Sequence, residues 1–184
     1  ARVPSGWQDE GHNLYLLGTT ALELDGSAWA GTIHEHLGGR PPAVDLAREK
    51  RLAELLHAAA GESLLSSAHD LADGGLAQAL AESVLRFGMG ARIYLTELMS
   101  RDGVDLTATL FSESTGRMLV SVPREDDVKF QGLCEARGYP VLRIGVTEDS
   151  GQLEIQDVFT VGIDELRGTH QGTMPAHFGA VVGA

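Results

Sequence analysis

The sequence has 184 residues, of which 43% are hydrophobic and 22% charged, values typical of one soluble globular domain with a substantial core. Its formal net charge of -12 predicts a surface that repels nucleic acid and anionic membranes, so neither is expected as a partner. No apolar run reaches the length of a membrane span, no signal peptide is recognisable, and the single cysteine, Cys134, indicates a reducing compartment, the cytoplasm.

The first half of the chain predicts two strands and three helices. A short apolar strand, "NLYLLG", is followed by a helix that Ser27 caps and that runs to about Leu37, where two glycines end it. Asp45 is placed to cap a second helix with an apolar stripe. The strand "SLLSSAHD" then leads through two glycines into an amphipathic helix that stops at Gly88.

The second half predicts the strands "ARIYL" and "RMLVSVP", a helix over "REDDVKFQGLCEARG" that buries Cys134, and a last helix, "IDELRGTHQ". Between these helices, "PVLRIGVTE" and "QLEIQD" are joined by "DSG", which predicts a β-hairpin. The pattern favours an α/β fold of the α+β type, a mixed β-sheet flanked by helices. We expect residues 13–175 to form one domain, residues 1–12 to end a preceding linker and residues 176–184 to be a flexible tail.

One candidate site lies in "SSAHDLADGGLAQALAE", where a strand ends and a helix begins. Asp70 falls at the carboxyl end of the strand, where open α/β sheets bind ligands. Gly74 and Gly75 fall at the helix start, where backbone N–H groups and the helix dipole favour phosphate. A carboxylate beside phosphate requires a bridging cation, so Asp70 is a candidate Mg²⁺ ligand.

An equally simple interpretation of the same stretch is structural. Asp73 would cap the helix, Gly74 and Gly75 would only turn the chain, and His69 would be a hydrogen-bonded core residue. From the residues alone, both interpretations stay open.

A second candidate site is "LFSESTGRMLVSV". Glu113, Ser114 and Thr115 lie in a loop just before a strand, where hydroxyl and backbone N–H groups can hold a phosphate or a sugar hydroxyl. Arg117 would add positive charge. The alternative is a Ser/Thr-rich turn that caps a short helix before Gly116.

Both stretches resemble one family. "SAHDLADGGLAQALAE" is similar to the "SAHDxSDGGL" segment of the formylglycinamide ribonucleotide amidotransferase (FGAM synthase) family, and "LFSESTGRMLVSV" is similar to its "LFSESQGRxLVSV". "LRGTHQGTMP" and "LYLLGTTALELDGSAWA" resemble further segments of the same domain. The pieces occur in the family's order over about Asn13 to Pro175. They match the second B domain of an enzyme built from two A and two B domains, with the fold of the C-terminal domain of aminoimidazole ribonucleotide (AIR) synthetase.

The resemblance implies an ATP-dependent ligase of purine biosynthesis. The full enzyme would use ATP and Mg²⁺, release ADP, and join glutamine-derived ammonia to formylglycinamide ribonucleotide after phosphoryl transfer to the amide oxygen. The expected partners are the remaining A and B domains, a glutaminase subunit or domain and a small accessory subunit. The family's catalytic groups lie in the A domains, so we expect no catalytic residue here and no activity of this chain alone.

The resemblance assigns site roles only to the residues of this sequence that match the family's motifs. The resemblance makes Asp70 the magnesium ligand and places Glu113, Ser114 and Thr115 at the substrate or nucleotide phosphates. The second B domain faces a pseudo-symmetric site that holds a structural nucleotide in large family members. Thr115 stands where the family usually has glutamine. The alternative function is a non-catalytic nucleotide-binding or dimerisation module of another AIR-synthetase-like protein.

Overall fold

A computed structural model describes residues 2–179 and contains one seven-stranded sheet. In chain order the strands are β1 (Asn13–Leu17), β2 (Ser67–Asp70), β3 (Gly90–Ile93), β4 (Met118–Val122), β5 (Val141–Glu148), β6 (Gln152–Ile155) and β7 (Phe159–Gly162). Their order across the sheet is β2-β4-β1-β5-β3-β6-β7. The pair β3 and β6 runs parallel, while the other described pairs are antiparallel, so the predicted mixed sheet is confirmed.

The helices pack on both faces of this sheet. They are α1 (Ala28–His34), α2 (Leu46–Gly61), α3 (Gly75–Phe87), α4 (Thr96–Asp102), α5 (Leu106–Phe111), α6 (Asp127–Ala136) and α7 (Ile163–Phe178). Sequence patterning predicted neither α4 nor strand β7, and it indicated a short helix near α5 only in the alternative interpretation of the loop at Glu113. Within the described residues, no helix has the length and apolar content needed to cross a membrane.

Strand β1 explains why the core has two halves. All of its residues are buried, and alternate side chains of a strand point to opposite faces of the sheet. Leu14 and Leu16 join the cluster formed with α3, α5 and α7, whereas Tyr15 and Leu17 join the cluster formed with α2 and α6. Cys134 lies fully buried in the second cluster, where desolvation raises the pKa of its thiol to about 12, so the predicted structural role of this cysteine is confirmed.

Two predicted helix caps are present. The Ser27 hydroxyl accepts a hydrogen bond from the Ala30 N–H at 3.1 Å, and the Asp45 carboxylate accepts bonds from the first turn of α2. Helix α1 nevertheless ends at His34, before the predicted Leu37. The chain turns into the left-handed region at Glu35, with φ of 50°, so the two following glycines do not form the helix end.

The predicted hairpin between β5 and β6 is wrong. Strand β3 lies between them, antiparallel to β5 and parallel to β6, so the turn at residues 149–151 crosses the end of β3. A Cβ atom on Gly90 would lie 2.4 Å from the Gln152 carbonyl oxygen, so glycine permits this close crossing. The hairpin partner of β6 is instead β7, which sequence patterning missed because the strand is short and half exposed.

The residues before β1 contribute to the same core. The Pro4 carbonyl accepts a hydrogen bond from the Ala68 N–H at 2.9 Å, beside edge strand β2. Trp7 is 1% exposed and packs in the α3 cluster. At the other end, α7 includes residues 176–178 of the predicted tail, and residues 180–184 of that tail lie outside the described residues.

Candidate functional site

Asp70 ends edge strand β2 and lies on the wall of a cavity. Its partner in the ladder is Met118 of β4, which packs with the α2 and α6 cluster, so Asp70 belongs to that face of the sheet. The Asp70 side chain is 73% exposed. Glu113 and Thr115 line the same cavity of about 490 Å³, so three of the predicted site residues, Asp70 included, meet there. Asp73 also lines this cavity.

Glu113 holds the two helix starts together. Its Oε1 accepts one hydrogen bond from the Gly74 N–H and another from the Ala28 N–H, each at 2.8 Å. The carboxylate therefore lies where the N-terminal ends of α1 and α3 favour negative charge. The N–H of Gly74 that the sequence analysis offered to a phosphate is occupied by Glu113 in this structure.

Gly74 and Gly75 are required by backbone geometry. Both residues have positive φ, 77° and 62°. A Cβ on Gly75 would lie 2.4 Å from the Ser112 carbonyl oxygen, and the Gly75 N–H donates to the Ala72 carbonyl at 3.0 Å. Helix α3 thus packs closely against the end of α5. Asp73 does not cap it, because Gly74 is the N-cap and no side-chain cap bond forms.

The hydroxyl groups of the second stretch tether a neighbouring segment. Ser112 donates to the Ala21 carbonyl at 2.7 Å, and the Ser114 hydroxyl accepts from the Ala21 N–H at 3.0 Å. Thr115 donates to the Ala43 carbonyl at 2.8 Å. Ser114 is buried and lines a smaller cavity of about 210 Å³, so it does not share the Asp70 cavity. These bonds fix residues 19–45 onto the sheet.

Arg117 is buried beneath this loop and holds it through hydrogen bonds to backbone carbonyls. It is 3% exposed, and its guanidinium donates to the Ser114 carbonyl at 2.8 Å, to the Thr20 hydroxyl at 3.2 Å and to the Ser112 carbonyl. Desolvation lowers the pKa of Arg117 to about 10, although nearby carboxylates, Glu23 first among them, oppose the shift. The guanidinium stays charged at neutral pH. The sequence analysis predicted its charge but not its burial.

The arrangement around Asp70 fits magnesium in one specific way. Within residues 2–179, no group of three or more His, Cys, Asp or Glu side chains converges on a point that could hold a metal ion. Mg²⁺ commonly uses one or two carboxylates and completes its shell with water and substrate phosphate. Asp70 could serve in that mode as one protein ligand, and it does not by itself form a metal cage.

His69 faces away from this cavity. Neighbouring residues of a strand point to opposite faces, and His69 pairs with Leu119, which belongs to the α3 cluster. Its Nε2 lies 2.9 Å from Glu82 Oε2, and its Nδ1 lies 2.8 Å from the Asp70 carbonyl oxygen. The histidine is therefore a partly buried, hydrogen-bonded residue, as in the structural interpretation.

Sequence reasoning missed the opposite wall of the cavity. Pro42, Val44, Glu49 and Leu52 approach Asp70 from the segment before α2 and from α2 itself. Only the folded arrangement brings these residues together, and no local motif marks them.

Comparisons with known proteins place the chain in a family. A family model described as "AIR synthase related protein, C-terminal domain" matches residues 9–158. "Phosphoribosylformylglycinamidine synthase subunit PurL" of Leifsonia xyli subsp. xyli is 67% identical over 187 residues, an alignment that covers 99% of this chain and 24% of that protein. The chain thus spans about a quarter of the length of this curated relative.

Two solved structures share the fold. T. maritima PurL complexed with FGAR has a TM-score of 0.75 at 21% identity, covering 89% of this chain and 29% of that chain. T. maritima PurL complexed with ATP has a TM-score of 0.68 at 21% identity, covering 89% and 27%. The resemblance to the FGAM synthase family and the expected fold are confirmed, and the chain belongs to the family of AIR synthase related protein C-terminal domains.

Proposed function

We propose that this chain acts as the C-terminal domain of an ATP-dependent C–N ligase that converts formylglycinamide ribonucleotide and glutamine-derived ammonia into the amidine. The observation that carries the proposal is the 67% identity to the PurL subunit of L. xyli across 99% of this chain. Because the chain spans only 24% of that protein, the activity would belong to the whole ligase.

The domain would bind rather than catalyse. The hydroxyls of Ser112 and Thr115 already donate to backbone carbonyls that hold residues 19–45 in place. Using either as a nucleophile would break a bond that maintains the fold. This supports the expectation that the chain contains no catalytic residue and is inactive alone.

Asp70 would contribute one carboxylate to a Mg²⁺ ion that bridges it to nucleotide phosphates. Its exposed side chain on the wall of the 490 Å³ cavity supports this role. The net charge of -12 repels a free nucleotide, so the ion would be needed for binding. The relative solved with ATP supports a nucleotide as the ligand of the whole enzyme.

Gly74, Gly75, Glu113, Ser114 and Thr115 would contribute unequally to such a site. Glu113 and Thr115 reach the cavity, whereas Ser114 is buried away from it. The Gly74 N–H would become available to a phosphate only when Glu113 releases it. We therefore propose that the two glycines and Ser114 shape the site, while Asp70, Glu113 and Thr115 face its ligand.

The partners would be the remaining A and B domains, a glutaminase and a small accessory subunit, within the cytoplasm. The relative's description as a subunit supports an assembly of more than one chain.

A chimaera tests the proposal. The region of the L. xyli protein that aligns with this chain is replaced by this chain, and ADP release is measured with formylglycinamide ribonucleotide, ATP and ammonia. We expect turnover by the chimaera and none by the 184-residue chain alone. The parent protein and a version lacking the exchanged region are the controls. A folded chimaera without turnover, or turnover by the chain alone, would contradict the proposal.

A further inference from the structure

A second cavity lies on the opposite face of the sheet from Asp70. It has a volume of about 390 Å³ and opens between α3 and α7. This volume is within the range of small-molecule sites in proteins. Its principal lining residues are His69, Glu82, Arg86, Arg167, His170 and Gln171. We call this cavity the α3–α7 pocket.

The lining of the α3–α7 pocket is basic, although the molecule as a whole is acidic. The chain carries 26 acidic and 14 Lys or Arg residues, yet the pocket has two arginines, two histidines and a single carboxylate, Glu82. That carboxylate is already engaged, since Glu82 Oε2 lies 2.9 Å from His69 Nε2 and Oε1 accepts from Gln78 at 2.8 Å. A bound anion would therefore meet mainly donor groups.

The donors of the pocket are partly free. Among the hydrogen bonds and ion pairs of residues 2–179, none involves the side chain of Arg86 or His170, and the Arg86 guanidinium lies 5.8 Å from the centre of the Phe87 ring. Arg167 uses Nη1 to contact Asp164 at 2.9 Å, and the Asp164 side chain is 99% exposed. A salt bridge so exposed to solvent contributes little, and an arginine fork can exchange it for a phosphate.

We propose that the α3–α7 pocket binds a small molecule through its phosphate or diphosphate group. Arg86 and Arg167 approach from different helices and supply planar donor forks, while His170 and Gln171 add single donors. The pocket is separate from the Asp70 cavity, because the two cavities share no lining residue. It is independent of the ligase function proposed above and needs no metal.

An amide NMR titration tests the pocket directly. The 184-residue chain is titrated with inorganic pyrophosphate and with inorganic phosphate in EDTA, and sodium chloride at matched ionic strength serves as the reference. The chelator removes any metal-dependent binding at Asp70. We expect saturable shifts at Arg86, Arg167 and His170 with pyrophosphate, weaker ones with phosphate, and none with chloride.

Charge-matched variants decide which residues bind. Arg86→Gln and Arg167→Gln should each weaken pyrophosphate binding by about tenfold or more, because each removes a charged donor fork. Arg51→Gln removes the same charge from exposed α2, on the other face, and should leave affinity within about twofold. No saturable shift with pyrophosphate, or equal weakening by all three substitutions, would overturn the proposal. Unchanged spectra outside the pocket show that each variant is folded.

Discussion

The two walls of the Asp70 cavity differ in how completely their polar groups are used. On one wall, Arg117 is 3% exposed, and its guanidinium donates to the backbone carbonyls of Ser112 and Ser114. On the other wall, the Asp70 side chain is 73% exposed, and its only ion-pair contact among the described residues is with His69, at 3.7 Å. Equally suggestive sequence motifs thus produce one wall that maintains the fold and one whose carboxylate stays exposed.

The largest effect is expected from Gly75→Ala, at the close contact between α3 and the end of α5. The new Cβ would lie 2.4 Å from the Ser112 carbonyl oxygen at a positive φ of 62°. Backbone strain and overpacking together should cost about 3 kcal/mol. A loss of that size should lower the melting temperature by roughly 6–12 °C.

Gly103→Ala is the matched control for that substitution. Gly103 has a similar φ of 67°, but nothing lies within 4 Å of its Cβ position. Gly103→Ala should therefore lower the free energy of unfolding only by the backbone strain, about 1 kcal/mol. Equal losses in the two variants would show that close packing of α3 on α5 is not what requires Gly75.

Arg117→Met should have the next largest effect. The substitution leaves the carbonyls of Ser112 and Ser114 without their donor, while it also removes the cost of burying a charge. We expect a net loss of about 2 kcal/mol in denaturant unfolding. Arg51→Met, at an exposed position, should change stability by less than about 0.5 kcal/mol. If Arg117→Met left the free energy of unfolding unchanged, the loop would not depend on this arginine.

Glu113→Gln tests the residue between the two walls. The amide oxygen can still accept hydrogen bonds from the N–H groups of Gly74 and Ala28, but the negative charge at the two helix starts is lost. We expect a loss of about 1 kcal/mol, measured by thermal unfolding at neutral pH. A stabilised variant would indicate that Glu113 is strained in its place and serves the ligand instead.

Patterning in the sequence was sufficient for elements that depend on local signals. Strand β1, helix α2 with its Asp45 cap, and helix α3 ending at Gly88 lie where the sequence predicts them. The hairpin prediction failed because pairing is decided by the whole sheet. The turn at residues 149–151 is a good hairpin signal, and nothing in it shows that β3 inserts between β5 and β6.

The candidate site was likewise predictable only where local motifs mark it. The motifs identified the stretch around Asp70 and the loop at residues 112–115, and the fold brings Asp70, Glu113 and Thr115 to one cavity. They could not show that the Glu113 carboxylate occupies the Gly74 N–H, because Glu113 and Gly74 are 39 residues apart. They also could not show that Arg117 is buried, because burial depends on the segment at residues 19–45 lying over it.

Asp70→Asn should have the smallest effect on stability. The side chain is largely exposed, so the melting temperature should stay within roughly 2 °C of the parent, which corresponds to about 0.5 kcal/mol. A large drop would show that Asp70 maintains the fold, and the contrast between the two walls would disappear.

The most direct measurement is Mg²⁺-dependent ADP binding by the folded L. xyli chimaera with and without Asp70→Asn. Asp149→Asn, at an exposed position in the turn after β5, is the charge-matched control. We expect that Asp70→Asn weakens ADP binding by about tenfold or more in Mg²⁺, that Asp149→Asn does not, and that neither variant melts earlier. Mg²⁺-dependent binding that is unchanged in Asp70→Asn would contradict the assignment of this wall to the ligand.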